Sequence, residues 1–349
     1  MNCLEKDLDY IFTSVGGLWE ELRGKQLFIT GGTGFFGSWL LESLVWANDK
    51  LNLGVSATVL TRDPASFKKK MPHLAGHSAI KFHVGDVRNF DFPEGQFTHI
   101  FHAATTSAVA TFNNFEDPLM KFDTIVGGTR RVLDFALKCH AQKFFLTSTG
   151  AVYGKQHSEM THMREDYCGT LDCFNPNFAV GEGKRVAEFL CAHYSSKYGI
   201  ETKVARCFSF LGPYLPLDIH YAVGNFIRDA ISGGPIIVNG DGSPRRSYLY
   251  AADLMIWLWT ILFNGKSCRV YNVGSEKEIT IKGLADLVAQ NFQNSIDVKI
   301  SKFSVSSVLP DRYIPSTERA RTELGLKQTI DIEEAIKRTI IFIKNSTRV

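Results

Sequence analysis

The sequence predicts an α/β protein with a doubly wound parallel sheet, covered by helices on both faces, and a smaller C-terminal lobe. Short apolar runs alternate with helical patterns between residues 25 and 208, a rhythm typical of βαβ units. After about residue 209, Gly-Pro and Gly-Gly pairs recur at short intervals. This change of pattern indicates that the C-terminal part does not simply continue the βαβ units.

The individual elements follow from the periodicity of the apolar residues. Residues 1–24 predict a helical lead-in. Strands are expected at residues 26–30, 55–60, 80–84, 97–102, 143–147 and 202–208. Helices are expected at residues 36–46, at residues 117–140 with an interruption at Gly127-Gly128, and around residues 181–197. We therefore divide the chain into the lead-in, a core domain (25–208) and a lobe (209–349) from which some segments return to the sheet.

Composition limits the class of protein. The 349 residues are 44% apolar and 21% charged, which predicts a globular fold with a sizeable core. Lys and Arg total 39 against 36 Asp and Glu, without a long basic run, so no nucleic-acid partner is expected. The seven cysteines form no CxxC pair and predict reduced thiols and no metal site.

The same reading predicts a cytoplasmic protein without a membrane partner. The acidic N-terminus does not have the pattern of a secretory signal. The apolar stretch at residues 254–263 is too short to span a bilayer.

A glycine-rich turn joins the first strand to the first helix. It reads Thr30-Gly31-Gly32-Thr33-Gly34-Phe35-Phe36-Gly37, with three glycines spaced three apart. The first glycine permits a tight turn, the second lets a pyrophosphate approach, and the third permits close packing of the helix. The helix N-terminus offers free N–H groups to the phosphates. The turn predicts a Rossmann-type dinucleotide site whose contacting residues are Gly31, Thr33, Gly34, Phe35, Phe36 and Gly37.

The end of the second strand bears on the choice between NAD and NADP. An acidic residue there would bind the ribose 2′-hydroxyl of NAD, but the position holds Thr61, followed by Arg62. An arginine suits the 2′-phosphate of NADP. Asp63 precedes a proline and is expected to begin the next turn or helix. NADP is therefore favoured, and NAD stays open.

Further motifs follow in a fixed order: Gly85-Asp86-Val87, His102-Ala103-Ala104-Thr105, the segment 147–154 that closes on Val-Tyr-Gly, Gly181-Glu182-Gly183-Lys184-Arg185, and the segment 240–248 followed by Asp253. With the glycine turn, they resemble the extended short-chain dehydrogenase/reductase family over residues 25–345. The branch they resemble contains nucleotide-sugar epimerases, dehydratases and decarboxylases.

The resemblance implies roles for residues of this chain. Cofactor contacts are implied for Asp86, Val87, Ala103, Ala104, Thr105, Lys184 and Phe208. Lys184 would hold the nicotinamide ribose, and Thr149 would hydrogen-bond the reacting sugar oxygen. Asn225 and Arg246 match substrate-binding positions, with Arg246 on the diphosphate.

The sequence departs from the family at its reaction centre. The family places a tyrosine four residues before the lysine, where it carries the proton. Here that position is Val180, which cannot do so. Three explanations stay open: a deliberate substitution, an enzyme with another acid or base, and a protein that binds cofactor without turnover. The substitutes considered for the proton carrier are Glu182, Tyr153, Tyr221 and His220.

Two further departures concern the substrate. Related 4,6-dehydratases carry Asp-Glu directly after the threonine, whereas this chain has Gly150 and Ala151, which disfavours elimination by that route. Ser209 stands where the family often has asparagine.

The expected function is NAD(P)-dependent epimerisation or oxidoreduction of a nucleotide-diphosphate sugar, by hydride transfer at C4. Alternatives are a dehydratase or decarboxylase, a catalytically impaired dinucleotide-binding protein, and a carbonyl reductase similar to plant flavonoid reductases. The resemblance also implies a homodimer formed through the helices around residues 117–140 and 177–198.

Overall fold

The computed structural model describes residues 4–105, 117–218, 221–292, 294–301 and 310–346. His220, a sequence candidate for proton transfer, lies outside them. The strands are β1 Gln26–Thr30, β2 Ser56–Thr61, β3 Ile80–Val84, β4 His99–His102, β5 Lys143–Thr149, β6 Glu201–Cys207, β7 Phe210–Leu211, β8 Ile236–Val238, β9 Arg245–Ser247, β10 Leu249–Tyr250, β11 Arg269–Val273, β12 Glu278–Thr280, β13 Val298–Ile300 and β14 Arg312–Tyr313.

The helices complete the set of elements. They are α1 Glu5–Val15, α2 Phe35–Leu51, α3 Pro64–Lys70, α4 Pro72–Ala75, α5 Pro118–Lys138, α6 Ala179–Tyr198, α7 Ala222–Ile231, α8 Ala251–Asn264, α9 Ile281–Gln290, α10 Glu318–Leu324 and α11 Ile332–Ser346, with 3-10 turns at Gly16–Leu22, Gly150–Tyr153 and Pro176–Phe178. None of the described helices combines the length and the apolar character that a membrane span requires.

Seven strands form the central sheet in the order β11-β6-β5-β4-β1-β2-β3, and every neighbouring pair is parallel. The expected doubly wound parallel sheet is confirmed. The order reverses between β1 and β4, where the ends of both strands meet because Thr30 pairs with His102. Ligands of open α/β sheets bind at the carboxyl ends of strands beside such a reversal.

Alternation along the strands divides the core between the two faces of the sheet. On β1, Leu27 and Ile29 join the apolar cluster that contains α2 and α8, whereas Phe28 joins the cluster on the opposite face with α5 and α6. Both faces are thereby sealed by buried apolar side chains.

The N-terminal lead-in is part of the core rather than an appendage. Trp19 is fully buried against Trp259 of α8, with ring centroids 5.0 Å apart. Tyr10 donates a hydrogen bond to Asp253, and Tyr250 donates one to Asp7. These contacts attach the lead-in to β10 and α8.

The region beyond residue 208 contributes strands to the central sheet and to smaller sheets. β11 returns to the central sheet beside β6, while β12, β9 and β14 form a separate three-stranded sheet. In that small sheet, Tyr313 of β14 pairs with Arg246 of β9. This register joins two distant stretches of sequence at one place.

Several expected boundaries were wrong. The helix α5 runs unbroken through Gly127-Gly128, because Gly128 packs against the Val87 side chain instead of ending the helix. The helix α2 extends to Leu51, where Asn52 in the left-handed conformation caps it. The strand β6 ends at Cys207, so Phe208 follows the strand.

Candidate functional site

The glycine turn fits a bound pyrophosphate. Gly31 has a φ of +73°, and a β-carbon there would lie 2.5 Å from the carbonyl group of Ala103. At Gly37, a β-carbon would lie 2.3 Å from the Cα of Gly32, so glycine lets α2 rest on the loop. Gly34, the N-cap of α2, is exposed, and the nearest atom to a β-carbon there is 3.5 Å away. The turn therefore leaves room in front of the first-turn N–H groups of α2, where an anion is favoured.

The end of β2 presents a basic side chain. Asp63 caps α3 by accepting a hydrogen bond from the Ser66 amide at 2.9 Å. The Asp63 carboxylate therefore serves as the cap of this helix, as the sequence suggested. Arg62 is exposed. At the end of β3, Arg88 forms an ion pair with Asp86 at 2.9 Å, and this contact is the main cause of the lowered pKa of Asp86. The positive charge of Arg62 adds to that lowering.

The end of β4 is held by a buried histidine. His102 contacts the Thr30 hydroxyl at 2.7 Å and the Thr129 hydroxyl at 3.0 Å. Burial lowers the pKa of His102 to about 3, so the ring is neutral at physiological pH. The Thr30 hydroxyl also accepts a hydrogen bond from the Ala104 amide, which fixes the turn 103–105 beside Gly31.

A buried lysine lies beneath the end of β5. Lys184 Nζ donates to the Thr147 carbonyl oxygen at 2.6 Å, and burial lowers its pKa to about 8. Val180 is one turn earlier on the same face of α6 and is half-buried against the apolar cluster. The structure thus has the lysine of the expected pair but only an aliphatic group at the position of the tyrosine.

Thr149 and Gly150 lie at the end of β5, where an unexpected residue meets them. The Thr149 hydroxyl accepts a hydrogen bond from the Ala151 amide at 3.2 Å. Burial raises the pKa of Tyr313, and the nearby Thr149 side chain opposes that rise. A β-carbon at Gly150 would lie 2.5 Å from Tyr313 Oη and 2.8 Å from the Phe208 ring. Tyr313 and Phe208 themselves pack with ring centroids 4.7 Å apart. The space beside Gly150 is therefore filled by an aromatic pair.

Arg246 lies on the other side of Tyr313. It forms an ion pair with Asp311 at 2.8 Å, and it also donates to the Arg245 carbonyl oxygen. Its neighbour on β9, Arg245, pairs with Glu278. Burial is the main cause of the raised pKa of Tyr313, and both Arg246 and Tyr221 are close enough to influence that pKa. Tyr313 therefore connects the end of β5, where its oxygen lies beside Gly150, with Arg246, its pairing partner on β9.

The other sequence candidates have different surroundings. Tyr153 is buried, donates a hydrogen bond to Asn272 at 2.7 Å, and lies under the Arg206 guanidinium, so it belongs to the framework. Asn225 accepts a hydrogen bond from Arg228 on α7. Glu182 is half-buried in the first turn of α6, and no contact joins it to Thr149.

Sequence reasoning missed Tyr313 and Asp311. Both belong to a short segment without periodicity, and a two-residue strand such as Arg312–Tyr313 leaves no pattern to detect. The signal that the sequence offered was an aromatic hydroxyl that follows Asp311 and Arg312, two residues before Pro315. The pairing of β14 with β9 gives these residues their place.

Comparison with known proteins identifies the family. The model of the NAD dependent epimerase/dehydratase family matches residues 27–274. The chain belongs to this family. It is 30% identical over 341 residues to UDP-glucuronic acid decarboxylase 1 of Xenopus tropicalis, covering 98% of this chain and 77% of that protein. It is 28% identical over 312 residues to UDP-glucuronic acid decarboxylase 6 of Arabidopsis thaliana, covering 89% and 86%.

Solved structures share the fold. An epimerase from Methanothermobacter thermautotrophicus superposes with a TM-score of 0.80 at 21% identity, covering 97% of each chain. The UDP-glucuronic acid 4-epimerase of Bacillus cereus in complex with NAD gives a TM-score of 0.75 at 20% identity, covering 92% of this chain and 96% of that one. The expected family, the Rossmann-type fold and the dependence on a nicotinamide dinucleotide are confirmed by these comparisons.

Proposed function

We propose that this protein is an NAD(P)-dependent enzyme that acts on the C4 carbon of a nucleotide-diphosphate sugar, as a 4-epimerase or a 4-keto reductase. The observation that carries this proposal is the placement of Lys184 and Thr149 at the carboxyl end of β5, with Arg246 on β9 joined to that end through its pairing with Tyr313, which lies beside Gly150. When bound, the nicotinamide supplies hydride transfer to or from the sugar carbon. The chain itself binds and orients the cofactor and the sugar nucleotide, and it excludes water from them.

Each residue has a definite task in this proposal. The N-terminus of α2 binds the cofactor pyrophosphate, and Lys184 is directed by the Thr147 carbonyl towards the nicotinamide ribose. Thr149 donates its hydroxyl proton towards the sugar oxygen, since its oxygen already accepts from Ala151. Arg246, held by Asp311, supplies positive charge to the diphosphate.

The surroundings of Gly150 favour epimerisation or reduction over elimination. A carboxylate at residue 150 would need the space that Tyr313 and Phe208 fill. A carboxylate pair directly after Thr149 therefore has neither the residues nor the room in this chain. The decarboxylase alternative is supported by the names of the relatives, so UDP-glucuronic acid belongs among the substrates to be tested.

NADP is the proposed cofactor of the two. Arg62 is exposed at the end of β2, and the acid that follows it, Asp63, is used as a helix cap. A 2′-phosphate would meet positive charge there, whereas a 2′-hydroxyl would find no free carboxylate from residues 61–63.

We also propose a cytoplasmic homodimer. The helices α5 and α6 pack against each other and leave large apolar side chains exposed, namely Leu119, Met120, Phe189 and Tyr198. A second copy that presents the same surface would cover them. The cysteines of the described chain are free thiols, which is typical of proteins from a reducing compartment.

Two other functions lead to different measurements. A catalytically impaired dinucleotide-binding protein, which the aliphatic Val180 allows, would bind NADP without turnover. A carbonyl reductase of flavonoid-like substrates would have no use for Arg246 on a diphosphate. The retained Lys184, Thr149 and Arg246 support the sugar-nucleotide enzyme against both.

The test is turnover of purified protein with NAD(P) and a panel of UDP-, dTDP-, GDP- and CDP-sugars, including UDP-glucuronic acid, beside flavonoids. The Val180→Tyr variant is assayed in parallel. Turnover of a nucleotide sugar by the native sequence supports the proposal, and turnover only after Val180→Tyr assigns the loss to that position. Cofactor binding without turnover in either protein would favour the impaired-protein alternative, and reduction of a flavonoid alone would favour the carbonyl reductase.

A further inference from the structure

A shielded carboxylate lies behind the reaction centre, on the helix that carries Lys184. Glu188 is four residues after Lys184 on α6, so the two side chains are neighbours on one face of the helix. The Glu188 side chain is only 12% exposed, and it forms a forked ion pair with Arg206 of β6 at 2.7 and 3.0 Å. Its Oε1 also accepts a hydrogen bond from the Ser148 hydroxyl at 2.5 Å. The carboxylate therefore joins α6, β5 and β6 at one point.

The strand end that carries Thr149 depends on such an anchor. The pairing of β5 with β4 stops at Leu146, whereas its pairing with β6 continues to Thr149. Beyond Leu146, the ladder of β5 therefore has a neighbouring strand on one side. The helix α6 supplies a second support there, because Lys184 donates to the Thr147 carbonyl oxygen at 2.6 Å and Glu188 accepts from Ser148. Only two backbone torsions then separate Thr149 from an anchored residue.

The ion pair keeps the anchor in place. Arg206 donates to the Glu165 carbonyl oxygen at 3.3 Å and lies 4.7 Å from the ring centroid of Tyr153, which itself donates to Asn272. Burial opposes the charge of Arg206, but its hydrogen bonds to Glu188 outweigh burial and raise its pKa. A charge pair shielded from water is weakly screened by salt. Glu188 is therefore held as a carboxylate in one orientation.

We propose that Glu188 is a positioning residue of the reaction centre. Through Ser148 it fixes the strand end on which Thr149 stands, and from the next turn of α6 its negative charge favours the ammonium form of Lys184. This inference rests on the proposed function, which gives Thr149 and Lys184 their tasks towards the sugar and the nicotinamide ribose. Glu188 acts through these residues and is not itself a catalytic residue.

The first test is Ser148→Ala, which removes the hydroxyl but leaves the Glu188–Arg206 pair intact. We expect kcat with the accepted sugar nucleotide to fall by about 10- to 100-fold, as for a small misplacement of a reacting group, while KM and the dissociation constant of UDP change less than about threefold. Ser195→Ala, which removes a hydroxyl elsewhere on α6, is the matched control and should keep the parent kcat. A Ser148→Ala enzyme with the kcat of the parent would overturn the positioning of Thr149.

The second test needs no turnover, because it follows the charge of Lys184. Burial lowers the pKa of Lys184 to about 8, and Cys207, Cys191 and Glu188 oppose that lowering. The other groups that face Lys184 do not titrate nearby: burial raises the pKa of both thiols and lowers that of His102 to about 3. Affinity for NADPH should therefore decline as the pH rises through about 8, and Lys184→Met should abolish this pH dependence.

Glu188→Gln removes the negative charge and keeps the shape of the side chain. The midpoint of the NADPH affinity should then move to lower pH by about half a unit or more. Glu323→Gln is the matched control, since it breaks a similar fork with Arg269 away from β5 and should leave the midpoint unchanged. An unchanged midpoint in folded Glu188→Gln would overturn the role of its charge.

The two tests separate this inference from the proposed function. If the parent turns over no nucleotide sugar, the substrate assignment fails, and the NADPH titration still decides whether Glu188 acts on Lys184. If the parent is active and both Ser148→Ala and Glu188→Gln match it in kcat and midpoint, the positioning role fails while the proposed function stands. Because Ser148→Ala retains the shielded ion pair, the first test does not depend on the folding of Glu188→Gln.

Discussion

The phenol of Tyr313 lies beside Gly150, where a β-carbon would be 2.5 Å from its oxygen. The tyrosine oxygen thus occupies the space that a side chain at residue 150 would need. A β-carbon added to Gly150 would also clash with the Phe208 ring. The first prediction follows from this relationship.

Gly150→Ala should destabilise the protein by about 1–3 kcal/mol, because the new methyl group overpacks the aromatic pair. Urea unfolding checks this value. Gly17→Ala is the control, since a β-carbon there meets nothing within 4 Å and its free energy of unfolding should change little. Adding Tyr313→Phe to Gly150→Ala should recover part of the loss by removing the oxygen. A Gly150→Ala protein as stable as the parent would show that the aromatic pair is free to move aside.

Lys184 should make the stability of the cofactor-free protein depend on pH. The unfolded chain keeps this proton until about pH 10.5, whereas the folded chain releases it near pH 8. Between these values the unfolded state binds more protons, so stability rises with pH. The penalty of the buried charge is fully present below pH 8 and disappears as the pH approaches 10.5.

Lys184→Met should therefore be more stable than the parent at pH 7, by up to roughly 3 kcal/mol, with the difference declining towards pH 10. The same variant should lose turnover, because it has no ammonium group for the ribose. Urea titrations at the two pH values and a rate assay measure both effects. A variant less stable than the parent at pH 7 would mean that the hydrogen bond to Thr147 outweighs the burial of charge.

Arg246→Ala should weaken binding of UDP by about 10- to 100-fold, the effect expected for losing a charged hydrogen-bond donor to phosphate. Calorimetry with UDP measures it without any turnover. Arg245→Ala is the matched control, since the neighbouring arginine on β9 pairs with Glu278 instead. If both variants bind UDP like the parent, the diphosphate lies elsewhere.

Arg62→Ala should reduce affinity for NADP by about tenfold or more while affinity for NAD changes little, because only NADP carries the 2′-phosphate. Fluorescence titration with each dinucleotide separates the two effects. Lys69→Ala, on the exposed side of α3, controls for a general loss of positive charge. An equal loss for both dinucleotides would contradict the assignment.

Phe189→Glu should convert the proposed dimer to a monomer, since it would bury a charge in an apolar interface. Light scattering after gel filtration measures the mass. Phe174→Glu is the control, because Phe174 is 92% exposed but lies outside α5 and α6. A parent protein that is already monomeric would contradict the proposed dimer. A Phe189→Glu protein that stays dimeric would show that the interface lies elsewhere.

The sequence by itself determined the fold class, the dinucleotide turn and Lys184. These features are local: apolar alternation gives strands, glycine spacing gives the turn, and four residues on a helix place Val180 and Lys184 on one face. The capping role of Asp63 was predictable for the same reason, since a helix cap lies within three residues of the amide that it accepts from.

Only the tertiary structure decided what stands around Thr149. Tyr313 lies beside Gly150, the next residue after Thr149, because β14 pairs with β9 and β9 pairs with β12. These contacts join segments that are far apart in sequence. A pairing register between two- and three-residue strands leaves no periodic pattern, so neither Tyr313 nor Asp311 could be found from sequence alone. The same register pairs Arg246 with Tyr313, and Arg246 forms an ion pair with Asp311, two residues before it. Residues distant along the chain become neighbours because a folded sheet pairs strands regardless of their separation in sequence.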